Sequence, residues 1–422
     1  MLNKLLKFIF TLGIIALILS GCGPKDDEPT STESKSGDVP EKPAKLVVWE
    51  DQDKGIALEY AIASFEEKYG IEVEYKEVDL AKMREQLRLD GPTGSGPDIY
   101  TIPHDNIGPS VTEGLIAPLT DIDQNILNAF TDSSIEAMTY NGQLYGLPKT
   151  TETPVFIYNK AHMQSPPETL DELFEFAKDF TKGDQYGFLS LWDNYYFAHG
   201  VLGAYGGYVF GDTDGVPNRE DIGLDNEGAI EGLEFIQKWY KEGLFPRGIV
   251  GESGGATITG LFSEGKVAAV MDGPWAFQGY RDAGIDIGVA PLPPLPNGER
   301  IATFSGVKGW HVTSFSNNKY WAQKLVEHIT NEENAKYRFE STAEIPPVKS
   351  LIDSSPISED EGSRAVALQS QYGIPMPNIP EMSEVWAPMA SALQLVATDQ
   401  LEPEAALKQA VEQIHANIEA NH

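Results

Sequence analysis

Tryptophans and tyrosines set beside carboxylates in short loops are the residues of this 422-residue chain whose types and spacing could do chemistry. Trp275 follows an apolar run in Met271-Asp-Gly-Pro-Trp275-Ala-Phe277, and Trp386 ends Pro375-Met-Pro-Asn-Ile-Pro380-Glu-Met-Ser-Glu-Val-Trp386. Trp192, Tyr195 and Tyr196 stand together in Leu191-Trp-Asp-Asn-Tyr-Tyr196-Phe. A pyranose offers an apolar C–H face that stacks on a ring and an equator of hydroxyls that donate charge-assisted hydrogen bonds to carboxylates. These clusters therefore suit sugar. The same composition would serve a glycosidase if two carboxyls stood about 5 Å or about 6.5 to 9.5 Å apart.

Other motifs are weaker on chemical grounds. Gly260-x-x-x-x-Gly265-Lys266 matches most of a phosphate-binding loop, but Val267 replaces the metal-binding hydroxyl, and a helical stretch precedes the loop where a strand should. Gly251-Glu-Ser253-Gly-Gly255 fits the spacing of a nucleophile elbow, with His311 available later in the chain, yet the run before it, Gly248-Ile-Val250, is barely a strand. Asp121-x-Asp123-x-Asn125 resembles the start of a calcium loop, with Ile126 in place of the turn glycine, and helix capping explains it better. The 7 histidines are scattered without metal-ligand spacing, so no metal or cofactor is expected.

Composition narrows the partners. With 64 acidic against 31 basic residues the formal charge is −33, which repels phosphate backbones and anionic lipid, so nucleic acid is excluded as a partner. One cysteine rules out a disulfide framework and Cys-rich metal sites. That cysteine is placed tellingly. Lys4 and Lys7 precede an apolar run from Phe8 to Leu19, too short to span a bilayer but right for a signal-peptide core, and the run ends in Leu19-Ser20-Gly21-Cys22. This end resembles the bacterial lipoprotein signal, which implies removal of residues 1–21 and lipidation of Cys22. Residues 23–43 contain one aliphatic side chain, Val39, and no aromatic, so they read as a tether spanning about 25 Å on average. Attachment to the membrane is then through the lipid alone, at the extracellular face.

The elements that must position the aromatic and acidic residues begin after the tether. Lys45 to Trp49 reads as a buried strand, Leu58, Ala61, Ile62 and Phe65 repeat at helical spacing up to Gly70, and Ile71, Val73 and Tyr75 alternate as a second strand. A polar helix near 80–89 and a strand from Asp98 to Ile102 complete a parallel α/β unit. Similar units are expected from helices 168–181, 226–241 and 318–330, strands 266–272 and 285–290, and a helical C-terminus from about 382.

From Lys45 almost to its end the chain resembles the maltose and maltodextrin-binding proteins, solute receptors of bacterial ABC importers. The motifs are Lys45-Leu-Val-Val-Trp49-x-x-x-Asp53-Lys54-Gly55, Gly96-Pro-Asp98-Ile99, His104-Asp105, Tyr145-Gly-x-Pro148, Ile157-Tyr-Asn-Lys160, Gly206-Gly-Tyr208, Gly273-Pro-Trp-Ala276 and Met376-Pro-Asn-Ile-Pro380. The resemblance implies an α/β fold of two lobes, each a sheet flanked by helices, with the ligand cleft between them at a hinge. It implies an N-terminal lobe of 45–151 with 309–358 and a C-terminal lobe of 152–308 with 359–422, joined by crossings near 150, 305 and 360. It also implies a monomeric, non-enzymatic receptor that passes maltodextrin or cyclodextrin to an ABC permease.

Carried over by position, Asp53, Lys54 and Asp105 match polar sugar ligands of the N-terminal lobe, and Glu152 an acid beside the hinge. Trp275 and Trp386 match the stacking tryptophans of the C-terminal lobe. Tyr195 and Tyr196 compete for a platform tyrosine, and Asp193 and Asn194 for an adjacent acidic position. Ile102, Asn106 and Ala390 depart from the family prototype, which has a sugar-contacting Trp and two Arg there. The rival readings are a lipid-anchored glycosidase using Glu152 and Asp105, and the same receptor with another sugar, such as a xylo-oligosaccharide.

Overall fold

The apolar run that opens the body forms strand β1 (Lys45–Asp51), which pairs in parallel with β2 (Glu72–Val78) and β3 (Ile99–Pro103). The helix Glu59–Tyr69 connects the first two, buries Ala61 and Phe65, and stops at Gly70 in the left-handed conformation, the usual glycine-terminated helix end. The computed structural model describes residues 39–213 and 216–421. The signal-like segment, Cys22 and the first part of the tether lie outside the described residues.

Two sheets carry the fold. In the first, β4 (Gly146–Glu152) and the long strand β9 (Phe304–Val312) join the parallel unit: β9 runs antiparallel to β3 on one side and to β4 on the other, and the short β10 (Ile374–Pro375) pairs with its beginning. The second sheet has the order β8-β5-β7-β6, from β5 (Val155–Asn159), β6 (Tyr186–Leu189), β7 (Val267–Asp272) and β8 (Ile287–Ala290). Each sheet is flanked by helices, giving two lobes of mixed α/β structure.

The second sheet corrects the expectation of a repeated parallel unit. Only β6 and β7 pair in parallel, while β5 runs antiparallel to both of its neighbours. The reason lies in the crossing: β4 ends at Glu152 and β5 begins at Val155, so β5 leaves the first sheet and runs away from it, whereas β8 returns toward it. The helices Leu170–Phe180, Glu227–Lys241 and Lys319–Ile329 fall where the periodicity predicts them, with Thr169 and Asn226 capping the first two.

The crossing segments meet at Thr303. The Thr153 hydroxyl donates to the Phe304 carbonyl at 2.9 Å and lies 2.6 Å from the Thr303 hydroxyl, while Ile374 N–H donates to the Thr303 carbonyl at 2.9 Å. Gln369 Nε2 donates to the Ile301 carbonyl at 2.7 Å. The segments at Thr153, Ile301–Phe304 and Gln369–Ile374 are thus hydrogen-bonded together where the chain passes between the sheets.

Beneath this junction the first lobe buries a balanced charge network. Lys149 contacts Glu50 at 2.5 Å and Glu344 at 3.6 Å; Arg338 contacts Glu50 at 2.9 Å and Glu344 at 2.8 Å; Lys308 contacts Glu344 at 3.5 Å and Glu152 at 2.8 Å. Lys149 and Arg338 both lie over Trp310, 5.2 and 5.6 Å from its ring centroid. Burial alone would raise the Glu344 carboxyl, but Lys149, Lys308 and Arg338 overcome it and hold the group well below the usual range. Burial likewise works to lower Lys308, and Glu152, Glu344 and Asp51 outweigh it.

Removing one partner from such a network leaves an uncompensated buried charge, at a cost of about 3 to 5 kcal/mol. Lys149→Met should therefore shift the urea unfolding midpoint strongly downward. Lys408→Met, which breaks an exposed pair with Glu404, should leave the midpoint where it is. Equal effects of the two substitutions would refute the importance of the network.

Candidate functional site

The carboxyl ends of parallel strands are where open α/β sheets present their ligand-binding loops. β1 ends in the turn that carries Asp53 and Lys54, and β3 runs directly into the 3-10 turn His104–Asn106. Asp53 is exposed and holds a left-handed φ of 61°, a conformation that Asp tolerates better than most residues. Lys54 is buried, which lowers its pKa, and its Nζ donates to the Trp275 carbonyl at 3.2 Å. That hydrogen bond joins the first lobe to the loop after β7 in the second.

Asp105 is also buried, and burial pushes its carboxyl up to about 6, opposed by hydrogen bonds from its own backbone N–H and from Asn106. Its Oδ1 is buried without a hydrogen-bond partner among the described residues. Glu152 ends β4 with its carboxylate on Lys308, and burial raises its pKa despite that lysine. His104 fixes the loop between them. Val307 N–H donates to its Nδ1, so the neutral ring carries its proton on Nε2, 3.2 Å from the Met376 carbonyl; burial lowers its pKa to about 4.

The facing surface comes from the second lobe. β7 delivers Asp272, which accepts from Gly273 N–H and, at 2.6 Å, from the Tyr280 hydroxyl. The Trp275 indole folds back over Gly273: a Cβ placed there would stand 2.1 Å from the ring. The loop can hold this tryptophan flat only because residue 273 has no side chain. Asn194 caps the helix Tyr195–Ala204 and starts it so that Tyr196 points toward the cleft. The Tyr196 hydroxyl is buried and unpartnered among the described residues; burial, then the charges of Glu152, Asp105 and Asp272, push it well above the ordinary phenol range.

Rings continue from there as a wall. Tyr196 is 6.2 Å from Trp275 and 6.2 Å from Phe304, and Phe304 is 5.9 Å from Trp386. Phe304 stacks on His199 at 3.7 Å, with 4° between the planes. Lys54, Asp105, Glu152, Tyr196, Trp275 and Trp386 are thus brought together, with Asp53 at the exposed edge. Tyr195 sits in the core, its hydroxyl 2.9 Å from His199 Nδ1 and its ring 6.1 Å from Trp386. Asp193 accepts from Gly251 N–H at 2.6 Å and from Gln394 at 3.4 Å, which ties a loop to the helix Trp386–Ala397. Trp192 is buried against Phe188 and Trp239.

Phe304, His199, His104 and Lys308 are the participants that sequence reading missed. Phe304 and Lys308 lie on one strand whose alternation places them, but their partners come from distant segments that no spacing reveals. The rejected motifs have other structural uses. Ser253 precedes a helix that follows a 3-10 turn, His311 is buried on the Tyr145 carbonyl, and Lys266 pairs with Asp184 and Glu264. Among the described residues no cluster of metal-ligating side chains occurs.

Comparison with known proteins accords with this arrangement. The description of a bacterial extracellular solute-binding protein matches residues 60–365. The galactooligosaccharide-binding protein of Bacillus subtilis is 44% identical over 411 residues, covering 97% of this chain and 96% of that protein. The maltooligosaccharide ABC transporter solute-binding lipoprotein of Streptococcus pneumoniae R6 is 33% identical over 429 residues, 99% of each chain. A solved cyclo/maltodextrin-binding protein complexed with maltotetraose has a TM-score of 0.77 at 41% identity, covering 90% of this chain and 99% of that one. With its two α/β lobes and an aromatic wall facing buried carboxylates, this chain belongs to the bacterial extracellular solute-binding protein family.

Proposed function

We propose that this chain is the lipid-anchored extracellular receptor of an oligosaccharide importer, capturing maltodextrins or cyclodextrins and delivering them to the permease of an ABC transporter. One observation carries the reading. An aromatic wall of Trp275, Tyr196, Phe304 and Trp386 stands beside buried acids, and Asp105 Oδ1 and the Tyr196 hydroxyl lack partners among the described residues. Unpartnered buried polar atoms are costly, and sugar hydroxyls would satisfy them. The maltooligosaccharide and cyclo/maltodextrin relatives favour an α-1,4-glucan.

In this reading Trp275, Tyr196 and Trp386 stack on glucose rings, and Asp53, Lys54 and Asp105 engage hydroxyls, with Glu152 beside the hinge. Tyr195 and Asp193 act from behind, holding the wall and its neighbouring loop. The lobes are 45–151 with 309–358, and 152–308 with 359–422. The C-terminal lobe captures sugar first, and closure brings the N-terminal acids onto it. Differential affinity for the closed form drives that step, so the polar contacts set the extent of closure. Processing before Cys22 and its lipidation anchor a monomer through residues 22–44, as the lipoprotein name of the pneumococcal relative supports. No catalysis is assigned: Glu152 is committed to Lys308, and the family relatives are transport receptors.

The B. subtilis relative favours a second reading, the same receptor with a galacto-oligosaccharide as its ligand. Calorimetry with maltotriose, a cyclodextrin, a galacto-oligosaccharide and xylotriose separates the two, and tight binding of the galacto series alone would replace the first by the second. Prolonged incubation with maltohexaose should return it intact, whereas shortened products would establish a glycosidase.

Trp275→Ala should cost about 1 kcal/mol of binding, roughly fivefold in affinity. Gly273→Ala, which displaces the indole without removing it, should weaken binding in the same direction. Unchanged affinity in both would remove Trp275 from the site. The ionised Asp105 is the stronger acceptor for a sugar hydroxyl at Oδ1, and protonation weakens it. Because its pKa is raised to about 6, affinity should fall as pH is lowered from 7.5 through 6 to 5. Asp105→Asn should bind more weakly at pH 7.5 and lose that pH dependence, and titration calorimetry at the three pH values checks it.

A further inference from the structure

The edge of the cleft beside Lys54 carries an aromatic side chain that the proposed function does not use. Tyr75 lies on β2 opposite Val48 of β1 and is 38% exposed. Its ring rests on Gly55: Cε2 and Cζ stand 2.3 and 3.0 Å from where a Cβ of that residue would be. A glycine at 55 is what lets the ring lie against the backbone. Glu77, on the same face of β2, accepts from Gly55 N–H at 2.9 Å. Ile56 beside it is 50% exposed, and the exposed Asp53 precedes Lys54.

Exposed tyrosines on strands are common and most reflect β-propensity alone. Tyr75 differs from the other exposed tyrosines of this chain. Tyr60 stacks on Tyr337 and bonds to Glu333, Tyr208 donates to Asp221, and Tyr320 packs edge-on against Trp321. Among the described residues the Tyr75 side chain has neither a ring partner, a cation nor a hydrogen bond. Its chemistry repeats that of the cleft, an exposed aromatic ring with the Glu77 carboxylate on the same strand face, and Gly55 beneath the ring adjoins Lys54, whose Nζ reaches the Trp275 carbonyl. Tyr75 itself is mid-strand, but the Gly55 on which its ring rests follows the carboxyl end of β1, where ligands of such sheets gather.

We infer that Tyr75, with Glu77 beside it on the strand, is an outer subsite that stacks a glycosyl unit of an oligosaccharide too long for the cleft, and so sets a preference for chain length. The inference rests on the oligosaccharide reading above. The test compares dissociation constants of the wild type, Tyr75→Ala and Tyr75→Trp for maltotriose and maltoheptaose, and for short and long galacto-oligosaccharides. In whichever series the wild type binds, Tyr75→Ala should leave the short ligand within about twofold and weaken the long one about three- to tenfold, the range of one aromatic contact. Tyr75→Trp should restore the long-chain affinity, which a merely structural role for the tyrosine would not predict.

Equal losses on short and long ligands, or no loss on the long one, overturn the subsite while leaving the receptor reading intact. A wild type that binds neither series overturns both.

Discussion

A buried ring of opposite charges is the interaction on which the rest of the molecule depends. Glu50 comes from the end of β1, Lys149 and Glu152 from β4, Lys308 from β9, Arg338 from the helix Glu332–Thr342, and Glu344 from two residues past its end. Four segments of the first lobe contribute, and three carboxylates meet three cations. Desolvation of any one of them would be prohibitive alone, so they are stable only as a set. The arrangement therefore demands one register of strands and one placement of the helix. Its outer member, Glu152, faces the cleft with its orientation already settled by Lys308.

Strand β9 couples this polar foundation to the apolar half of the site. At one end Phe304 fills the centre of the aromatic wall, between Tyr196 and Trp386 and flat against His199. Further along, Lys308 enters the charge ring and Trp310 carries Lys149 and Arg338 over its ring. Because β9 also follows a crossing between the lobes, any rotation of one lobe on the other pivots close to residues that hold the wall and the acids in place. Packed interiors switch between discrete arrangements and do not deform smoothly. A closing movement concentrated at Thr153, Thr303 and Ile374 would leave both halves of the cleft internally rigid.

Much of this was legible in the chain and some of it was not. The strand from Lys45, the helix ending at Gly70 and the helices near 170–180, 227–241 and 319–329 follow from periodicity and capping, which are local. The antiparallel setting of β5 was hidden, because it depends on the direction from which a strand enters a sheet and not on its own residues. Tyr195 and Tyr196 could not be separated in the sequence: adjacent positions on a helix point about 100° apart, and only the neighbouring Phe304 and His199 decide which ring lies in the core. Arg338 and Glu344 gave no signal at all, since charged residues on a polar helix read as a solvated face.

The sequence by itself determined the chemistry on offer: aromatic rings next to carboxylates, an acidic surface of −33, and a single cysteine at a lipoprotein-like junction. It also determined the local elements, because helix and strand periods, caps and glycine stops act over a few residues. Tertiary structure alone decided which acids face the cleft and which are neutralised behind it, which tyrosine is presented, and that Phe304 completes the wall. Those outcomes depend on burial and on partners up to hundreds of residues away in the chain, as with Glu50 and Arg338, separated by 288 positions and 2.9 Å apart.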